Sequence, residues 1–380
     1  MDLKITRTQL SDGRELIYYD TPGTPDRTAV DERDLPEVHT ESWMRQDPLT
    51  GEWAIYAAHR QNRTFLPPAN EDPLAPTREG QKPSEIPESD YQVVVFENRF
   101  PSLSMRLELP DGWEPTVDGE DIFRRAPAES RCEVVCFTPD AEGSFKDLSL
   151  SRKRTLIDVW AHRTEELSAL APVKAVFPFE NRGEEIGVTL HHPHGQIYSY
   201  PFVPPRAAAI AAQAAAARET GTNLFDEVIA AERRAGTRVI DETEHFLVFT
   251  PAAAKWPLEV MVMAKGDVPN FPSLSDAARD DLAQILDKLY DAVDEFFEGI
   301  DRTPYIAAWN QAPVDAPADG RLHLQLFSLM RSPGRMKFLA GSESGQGVWI
   351  NDTTPETIAS TLRAAYGAAD AADPSPKAGA

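Results

Sequence analysis

The residues best suited to chemistry cluster near the middle of the chain, in Leu190-His191-His192-Pro193-His194-Gly195-Gln196-Ile197-Tyr198. Three of the chain's eight histidines and a glutamine fall within six positions there. Val188, Thr189, Ile197 and Tyr198 flank them with β-branched and aromatic side chains, which favours a strand. On a strand, the period of two sets His192, His194 and Gln196 along one face at spacings of about 6–7 Å. That row suits a phosphoryl group and its substituents. A neutral imidazole, with an ordinary pKa of about 6.5, is a nucleophile at neutral pH, and phosphorus is a good electrophile for it. The competing reading is a metal site, because His-x-His on a strand is also a chelating pair.

A chain of 380 residues has room for one large domain or two ordinary ones around this strand. Its 41% hydrophobic and 9% aromatic content supports a packed core and excludes global disorder. The net charge of −23 argues against a nucleic-acid surface, so local Arg and Lys must hold any anionic substrate. No apolar run approaches the roughly 20 residues of a membrane span, and the amino terminus lacks a signal peptide's apolar stretch. Cys132 and Cys136, on one strand, would stand about 13 Å apart, too far for a disulfide. They read as buried thiols of a reducing compartment, and a cytoplasmic enzyme is expected.

The rest of the chain supplies the elements that must position the row. Residues 1–40 are polar, broken by Thr21-Pro22-Gly23-Thr24-Pro25, with one short strand at Leu16–Tyr19; a loosely attached arm is expected. Trp43–Ala57 reads as two strands turning at Asp47-Pro48-Leu49-Thr50-Gly51. Residues 64–90 hold six prolines without periodicity and read as a long loop, as does 110–130. Strands are expected at Tyr91–Phe96 and Arg131–Thr138. A helix over 149–170 opens at Ser149 or Ser151 and carries its apolar stripe on Leu156, Val159, Trp160, Leu167 and Leu170. His162 lies off that stripe and is expected to be exposed. A strand at Val173–Phe179 and a turn at Glu180–Gly187 lead into the histidine strand.

After Pro204-Pro205 come helices at Ala207–Ala217 and Phe225–Arg234, and then a similar order repeats. Strands at Arg238–Thr250 and Leu258–Met263 precede a helix at Ser275–Phe297 and strands at Tyr305–Trp309 and Arg321–Leu329. The last strand contains Leu322-His323-Leu324-Gln325-Leu326, an eroded echo of the histidine row. This order predicts an α+β protein with an internal duplication. A catalytic half at 41–205 would join or abut a structural half at 206–367, before a disordered tail at 368–380.

His192-Pro193-His194-Gly195-Gln196 resembles the active-site motif of galactose-1-phosphate uridylyltransferases, the transferase branch of the histidine-triad superfamily. Hydrolase members of that superfamily carry a third histidine where this chain has Gln196. Further matches run from Asp47-Pro48-Leu49-Thr50-Gly51-Glu52-Trp53 to Lys337-Phe338, so the resemblance covers roughly residues 40–365. It implies a duplicated histidine-triad fold with largely antiparallel sheets. It also implies a ping-pong exchange of UMP between UDP-glucose and galactose 1-phosphate, in galactose metabolism. His194 would attack phosphorus, oriented by the carbonyl of His192, while Gln196 donates to a non-bridging oxygen. The alternative within this chemistry is an adenylyl-transferring relative, such as an ADP-sugar or dinucleoside-polyphosphate phosphorylase. A non-catalytic nucleotide-binding scaffold is opposed by the survival of His194 and Gln196 in one half.

The same resemblance assigns roles to residues that look ordinary alone. Arg60 and Arg63, otherwise solvated charge, would lie by the nucleotide phosphates. Asn98, otherwise a turn cap, would contact the nucleoside, with Arg99 replacing a common acid beside it. Asn181 and Thr189 would add donors to phosphate. Lys337 and Glu343 would sit beside the hexose in a partner's catalytic half, which implies a homodimer with composite sites. Some relatives hold zinc with a Cys-x-x-Cys pair, a further histidine and the first histidine of the motif. Here those positions read Asp72-Pro73-Leu74-Ala75, Ala141 and His192. The family's iron positions read Ile210, Asn310, His323 and Gln325. Too few ligands remain for either metal, so no metal cofactor is expected, zinc being the one to test.

Overall fold

The computed structural model describes residues 3–62, 67–68 and 71–372. The first half contains β1 (Lys4–Gln9), β2 (Glu15–Asp20), β3 (Trp43–Gln46), β4 (Trp53–Tyr56), β5 (Val93–Glu97), β6 (Thr116–Val117), β7 (Glu120–Pro127) and β8 (Cys132–Cys136). It continues with α1 (Leu150–Ser168), β9 (Ala175–Arg182) and β10 (His194–Tyr200). The second half contains α2 (Pro205–Glu219), α3 (Leu224–Ala235), β11 (Val239–Glu242), β12 (Phe246–Phe249), β13 (Leu258–Ala264), α4 (Asp276–Asp294), β14 (Tyr305–Asn310) and β15 (His323–Ser328). It ends with β16 (Met330–Ser332), β17 (Arg335–Met336), α5 (Gly341–Gln346) and α6 (Pro355–Ala372). The helix α6 runs past Ala368, where the tail was expected to begin; residues 373–380 lie outside the described residues.

Eleven strands form one antiparallel sheet in the order β1-β2-β5-β8-β10-β9-β14-β15-β13-β12-β11. From the β9–β14 seam outward, β9-β10-β8-β5 on one side matches β14-β15-β13-β12 on the other. Chain order matches too, since β5-β8-α1-β9-β10 is repeated as β12-β13-α4-β14-β15. The fold is therefore α+β and internally duplicated, its two sheets fused into one.

Period-two alternation sends each strand's side chains to two different cores. Val93, Val95 and Val135 join the core under α1, α4 and α6, whereas Val94, Phe96 and Val134 face the opposite layer. Burying each such side chain contributes about 1.5–3 kcal/mol, which makes the strand register hard to shift. The long helices start where hydroxyls cap them: Ser149 accepts from the Arg152 amide at 3.3 Å and Ser275 from the Ala278 amide at 3.1 Å.

Three expectations are corrected. The first 40 residues are not a loose arm, because the β1–β2 hairpin pairs onto β5 and Leu16 through Tyr19 are fully buried. Polar composition misleads there, since buried Arg14 is paired with Asp12 and Glu85. His162 is half-buried, with Nδ1 2.9 Å from the Tyr19 hydroxyl of the same hairpin. The 110–130 segment holds β6 and β7, which extend a second sheet in the order β4-β3-β7-β6. Residues Glu120 to Arg124 of β7 are all exposed, so no alternation marked that strand.

At the seam, β9 runs three residues beyond the expected strand end at Phe179. Buried Arg182 donates to the Thr303 carbonyl at 3.0 Å and to Asp294 at 3.1 Å. Two residues earlier, the Tyr305 hydroxyl of β14 donates to Glu180 Oε1 at 2.8 Å. Burial pushes the Glu180 carboxyl up to about 7, against the smaller opposing effects of Tyr305 and Arg182. A folded-state pKa above the unfolded value stabilises the fold at low pH and loses that contribution as pH rises through it. The wild-type melting temperature should therefore fall between about pH 5 and pH 8 by more than that of Glu180→Gln, which keeps the acceptor without the charge. Identical slopes for the two proteins would contradict a buried, titrating Glu180.

Candidate active site

The histidine row is set by β10, whose neighbours fix it on both sides. Gln196 pairs with Val134 of β8 and with Phe179 of β9, and His194 pairs with Cys136. His194, Gln196 and Tyr198 face one cavity of about 280 Å³, together with Phe96, Val134, Phe179 and Asn181 from the flanking strands. Gly195 faces the other way. A Cβ there would lie 2.9 Å from the Phe137 ring and 3.0 Å from the Phe179 carbonyl, so only glycine lets β10 approach so closely.

The row begins two residues later than expected, at His194 rather than His192. Pro193 precedes the strand, which starts at His194, and the His192 imidazole turns into the interior with 1% exposure. Its Nε2–H donates to the Thr138 carbonyl at 2.7 Å. What His192 offers the site is its own carbonyl, which accepts from His194 Nδ1–H at 2.7 Å. Because a carbonyl only accepts, the proton sits on Nδ1 and His194 Nε2 keeps its lone pair. Burial holds the His194 pKa below 6.5, the carbonyl and Asp72 opposing it weakly, so the ring is neutral near pH 7. His191 stands outside, exposed beside Glu184 at 3.3 Å.

Donors surround this lone pair. Asn181, Thr189 and Gln196 line the cavity, and none of their side chains has a protein partner among the described residues. Arg60 reaches the same cavity with Nη1 on the Phe100 carbonyl at 2.6 Å, and has no ion pair among the described residues. Asn98 does cap a turn, its Oδ1 accepting from the Phe100 amide at 2.9 Å, and it lines the cavity as well. Six of the expected residues thus converge: Arg60, Asn98, Asn181, Thr189, His194 and Gln196. Arg63 lies outside the described residues.

Lys337 and Glu343 do not reach this cavity within the chain. Lys337 Nζ lies 2.6 Å from Glu343 Oε1 and also bonds the Ile350 carbonyl, and both side chains are buried. Several lining residues went unnoticed in the sequence. Tyr198 and Phe179 follow from extending the period of two along β10 and β9. Leu74 and Glu85 come from the proline-rich loop, which has no periodicity to reveal them. Glu85 enters as a carboxylate already neutralised by Arg14 and, at 3.0 Å, by Arg33.

Among the described residues, no group of three or more His, Cys, Asp or Glu side chains is arranged to hold a metal ion. His192 Nδ1 is buried without a partner, but Asp72 is occupied capping the Leu74 amide at 2.9 Å, and Ala75 and Ala141 offer no ligand. In the second half, Asn310 donates to the Ala308 carbonyl at 3.2 Å and Gln325 to Glu259 at 2.6 Å. Neither residue set fits a closed metal site.

A strand-borne neutral histidine ringed by uncharged donors and an arginine defines a site for nucleophilic phosphoryl chemistry. Comparison with known proteins agrees. Residues 32–204 match the model of the galactose-1-phosphate uridyl transferase N-terminal domain, and residues 210–370 that of its C-terminal domain. The galactose-1-phosphate uridylyltransferase of Streptomyces lividans is 46% identical over 95% of this chain and 98% of its own length. That of Thermotoga maritima is 33% identical over 84% of this chain and 97% of its own. A solved uridylyltransferase structure superposes with a TM-score of 0.73 at 29% identity, covering 86% of this chain and 99% of that one. An ADP-glucose phosphorylase from Arabidopsis thaliana shares the fold, with a TM-score of 0.61 at 21% identity over 85% of this chain and 98% of its own. The chain belongs to the galactose-1-phosphate uridylyltransferase family and is an enzyme of the transferase class.

The lowered His194 pKa has a kinetic consequence. If His194 is the nucleophile, protonation silences it only as pH falls through the folded-state value, so the acid limb of kcat/KM should lie below pH 6.5. An acid limb above pH 6.5 would contradict the neutral, buried imidazole. His191→Ala should leave the profile in place.

Proposed function

We propose that this enzyme exchanges UMP between UDP-glucose and galactose 1-phosphate through a uridylyl group carried on His194 Nε2. The observation that carries the proposal is the His194 Nδ1–H bond to the His192 carbonyl, which leaves Nε2 as the one basic nitrogen facing the cavity donors. In the first half-reaction, the Nε2 lone pair forms a bond to the α-phosphorus. The bond from that phosphorus to the bridging oxygen breaks, and glucose 1-phosphate leaves with the electron pair. In the second, a phosphate oxygen of galactose 1-phosphate attacks the same phosphorus, giving UDP-galactose and returning the lone pair to Nε2.

The Nδ1 proton stays in place throughout, and the His192 carbonyl stabilises the positive charge that the ring gains while it carries UMP. Gln196, Asn181 and Thr189 supply hydrogen bonds to non-bridging oxygens at no cost in ionisation. Unlike an imidazolium, the Gln196 amide brings no acidic proton to help water replace the second substrate. Arg60 would grip the diphosphate and Asn98 the nucleoside, with Arg63 assigned to the phosphates beside Arg60.

Lys337 and Glu343 would serve the hexose of a partner's site in a homodimer. Their segment presents Phe338 at 86% exposure beside exposed Leu339, Val348 and Ile350, an apolar surface that supports a covering partner. A cytoplasmic location accords with the buried free thiols Cys132 and Cys136. Among the described residues no helix is long and apolar enough to cross a membrane.

Product analysis tests the reading. With galactose 1-phosphate as acceptor, UDP-glucose should yield UDP-galactose, and ADP-glucose should be at least tenfold poorer as donor. Preference for ADP-glucose would move the enzyme to the adenylyl-transferring class. Gln196→Arg should fold but lose roughly 10²-fold or more in turnover, as loss of a transition-state donor does; near-normal turnover would refute its role. Activity should also survive exhaustive chelation, and stoichiometric zinc whose removal lowers activity would overturn the metal-free reading.

A further inference from the structure

The duplicated sheet carries one continuous row of paired residues: Phe96, Val134, Gln196, Phe179, Ala308, Gln325, Met261 and Phe249. Its midpoint is the seam pair Phe179–Ala308, so Gln325 is the twofold equivalent of Gln196. Two residues before each glutamine stand His194 and His323. Two residues after the seam pair stand Asn181 and Asn310. The second half therefore retains all three residue types in register.

The histidine geometry is retained as well. His323 Nδ1–H donates to the Arg321 carbonyl at 2.8 Å, as His194 does to His192 at 2.7 Å. His323 is only 3% exposed, and its Nε2 has no protein partner among the described residues. It lines a cavity of about 630 Å³ between the sheet and the helices α2 and α3. Leu224, Phe225, Val228, Phe249, Met261 and Met263 make the walls apolar. Arg206 and Lys255 line the same cavity, and neither forms an ion pair among the described residues.

Of the other charges nearby, Arg238 lies 3.0 Å from Glu232. Glu259, whose charge acts on both Arg206 and Lys255, accepts from the Trp256 amide at 3.3 Å and the Gln325 amide at 2.6 Å. With Gln325 and Asn310 spent on protein partners, this half lacks the donors that a transferred phosphoryl group needs. What remains is an acceptor nitrogen, an apolar cleft and two cations without a salt bridge among the described residues, of which Lys255 lies 5.2 Å from the Trp349 ring centroid.

We propose that this cavity is a second, non-catalytic ligand site for a phosphate monoester with an apolar body. The anionic oxygens would meet Arg206 and Lys255, the remaining P–OH would donate to His323 Nε2, and the body would lie against the Met and Phe wall. The proposal is independent of which sugar nucleotide the catalytic half uses.

Calorimetry with octyl phosphate on the full chain, with UMP saturating the catalytic cavity, tests it. One octyl phosphate should bind per chain, tighter than inorganic phosphate or octanol. Affinity should fall about tenfold in Arg206→Gln and in Lys255→Gln, each losing one charge-assisted contact. Both variants should keep wild-type transfer activity with saturating substrates, which separates a lost ligand site from a lost fold. No binding in the presence of UMP, equal affinity for inorganic phosphate, or unchanged affinity in both variants would overturn the proposal.

Discussion

One hydrogen bond decides what this site can do: His194 Nδ1–H to the carbonyl of His192, at 2.7 Å. A neutral imidazole has one proton and one lone pair, and without that carbonyl the two tautomers would compete. With the proton on Nε2, the ring would present an N–H to phosphorus and no nucleophile. A net hydrogen-bond contribution of about 1 kcal/mol is small against the stability of the fold, yet it selects the reactive tautomer severalfold. The surrounding structure exists to hold the two ends of that bond. The His192 ring is locked inward on the Thr138 carbonyl, Pro193 accepts from the Phe137 amide at 3.1 Å but has no N–H to return, and β10 is clamped between β8 and β9.

The second half makes the same bond and cannot use it in the same way. Glu259 pairs with Phe327, and Cys132 occupies the equivalent position opposite Tyr198. In the catalytic half that position is a thiol which burial keeps protonated and neutral. In the other half it is a carboxylate, and it takes the amide of Gln325 for itself. The residue on the neighbouring strand thus sets whether the glutamine amide is open to the cavity or held by a protein anion.

Much of this was legible in the sequence, for identifiable reasons. Short runs rich in β-branched and apolar residues marked β5 and β8, which bury both faces, the period of two marked β10, and the helical stripe with Ser149 marked α1. The pentapeptide around His194 located the cavity and the residues proposed there as nucleophile and donor, His194 and Gln196. Strand geometry alone misplaced His192, since a period of two says nothing about where a strand begins and Pro193 sets that point. The strand at Leu16–Tyr19 was legible, but β1 and the docking of the hairpin were not, because its burial includes Arg14 and Asp12, whose pairing partners no local pattern reveals. Glu85 and Leu74 were invisible for a related reason: they reach the cavity from a loop whose path is set by tertiary contacts.

In the proposed mechanism, Nε2 of His194 is the atom that carries UMP. Trapping the protein with UDP-glucose alone and locating the phosphoramidate by ³¹P–¹⁵N coupling in histidine-labelled protein addresses it directly. A single adduct on Nε2 of His194, with Nδ1 still protonated, is expected. An adduct on Nδ1, on another residue, or no adduct in enzyme that turns over both substrates would contradict it.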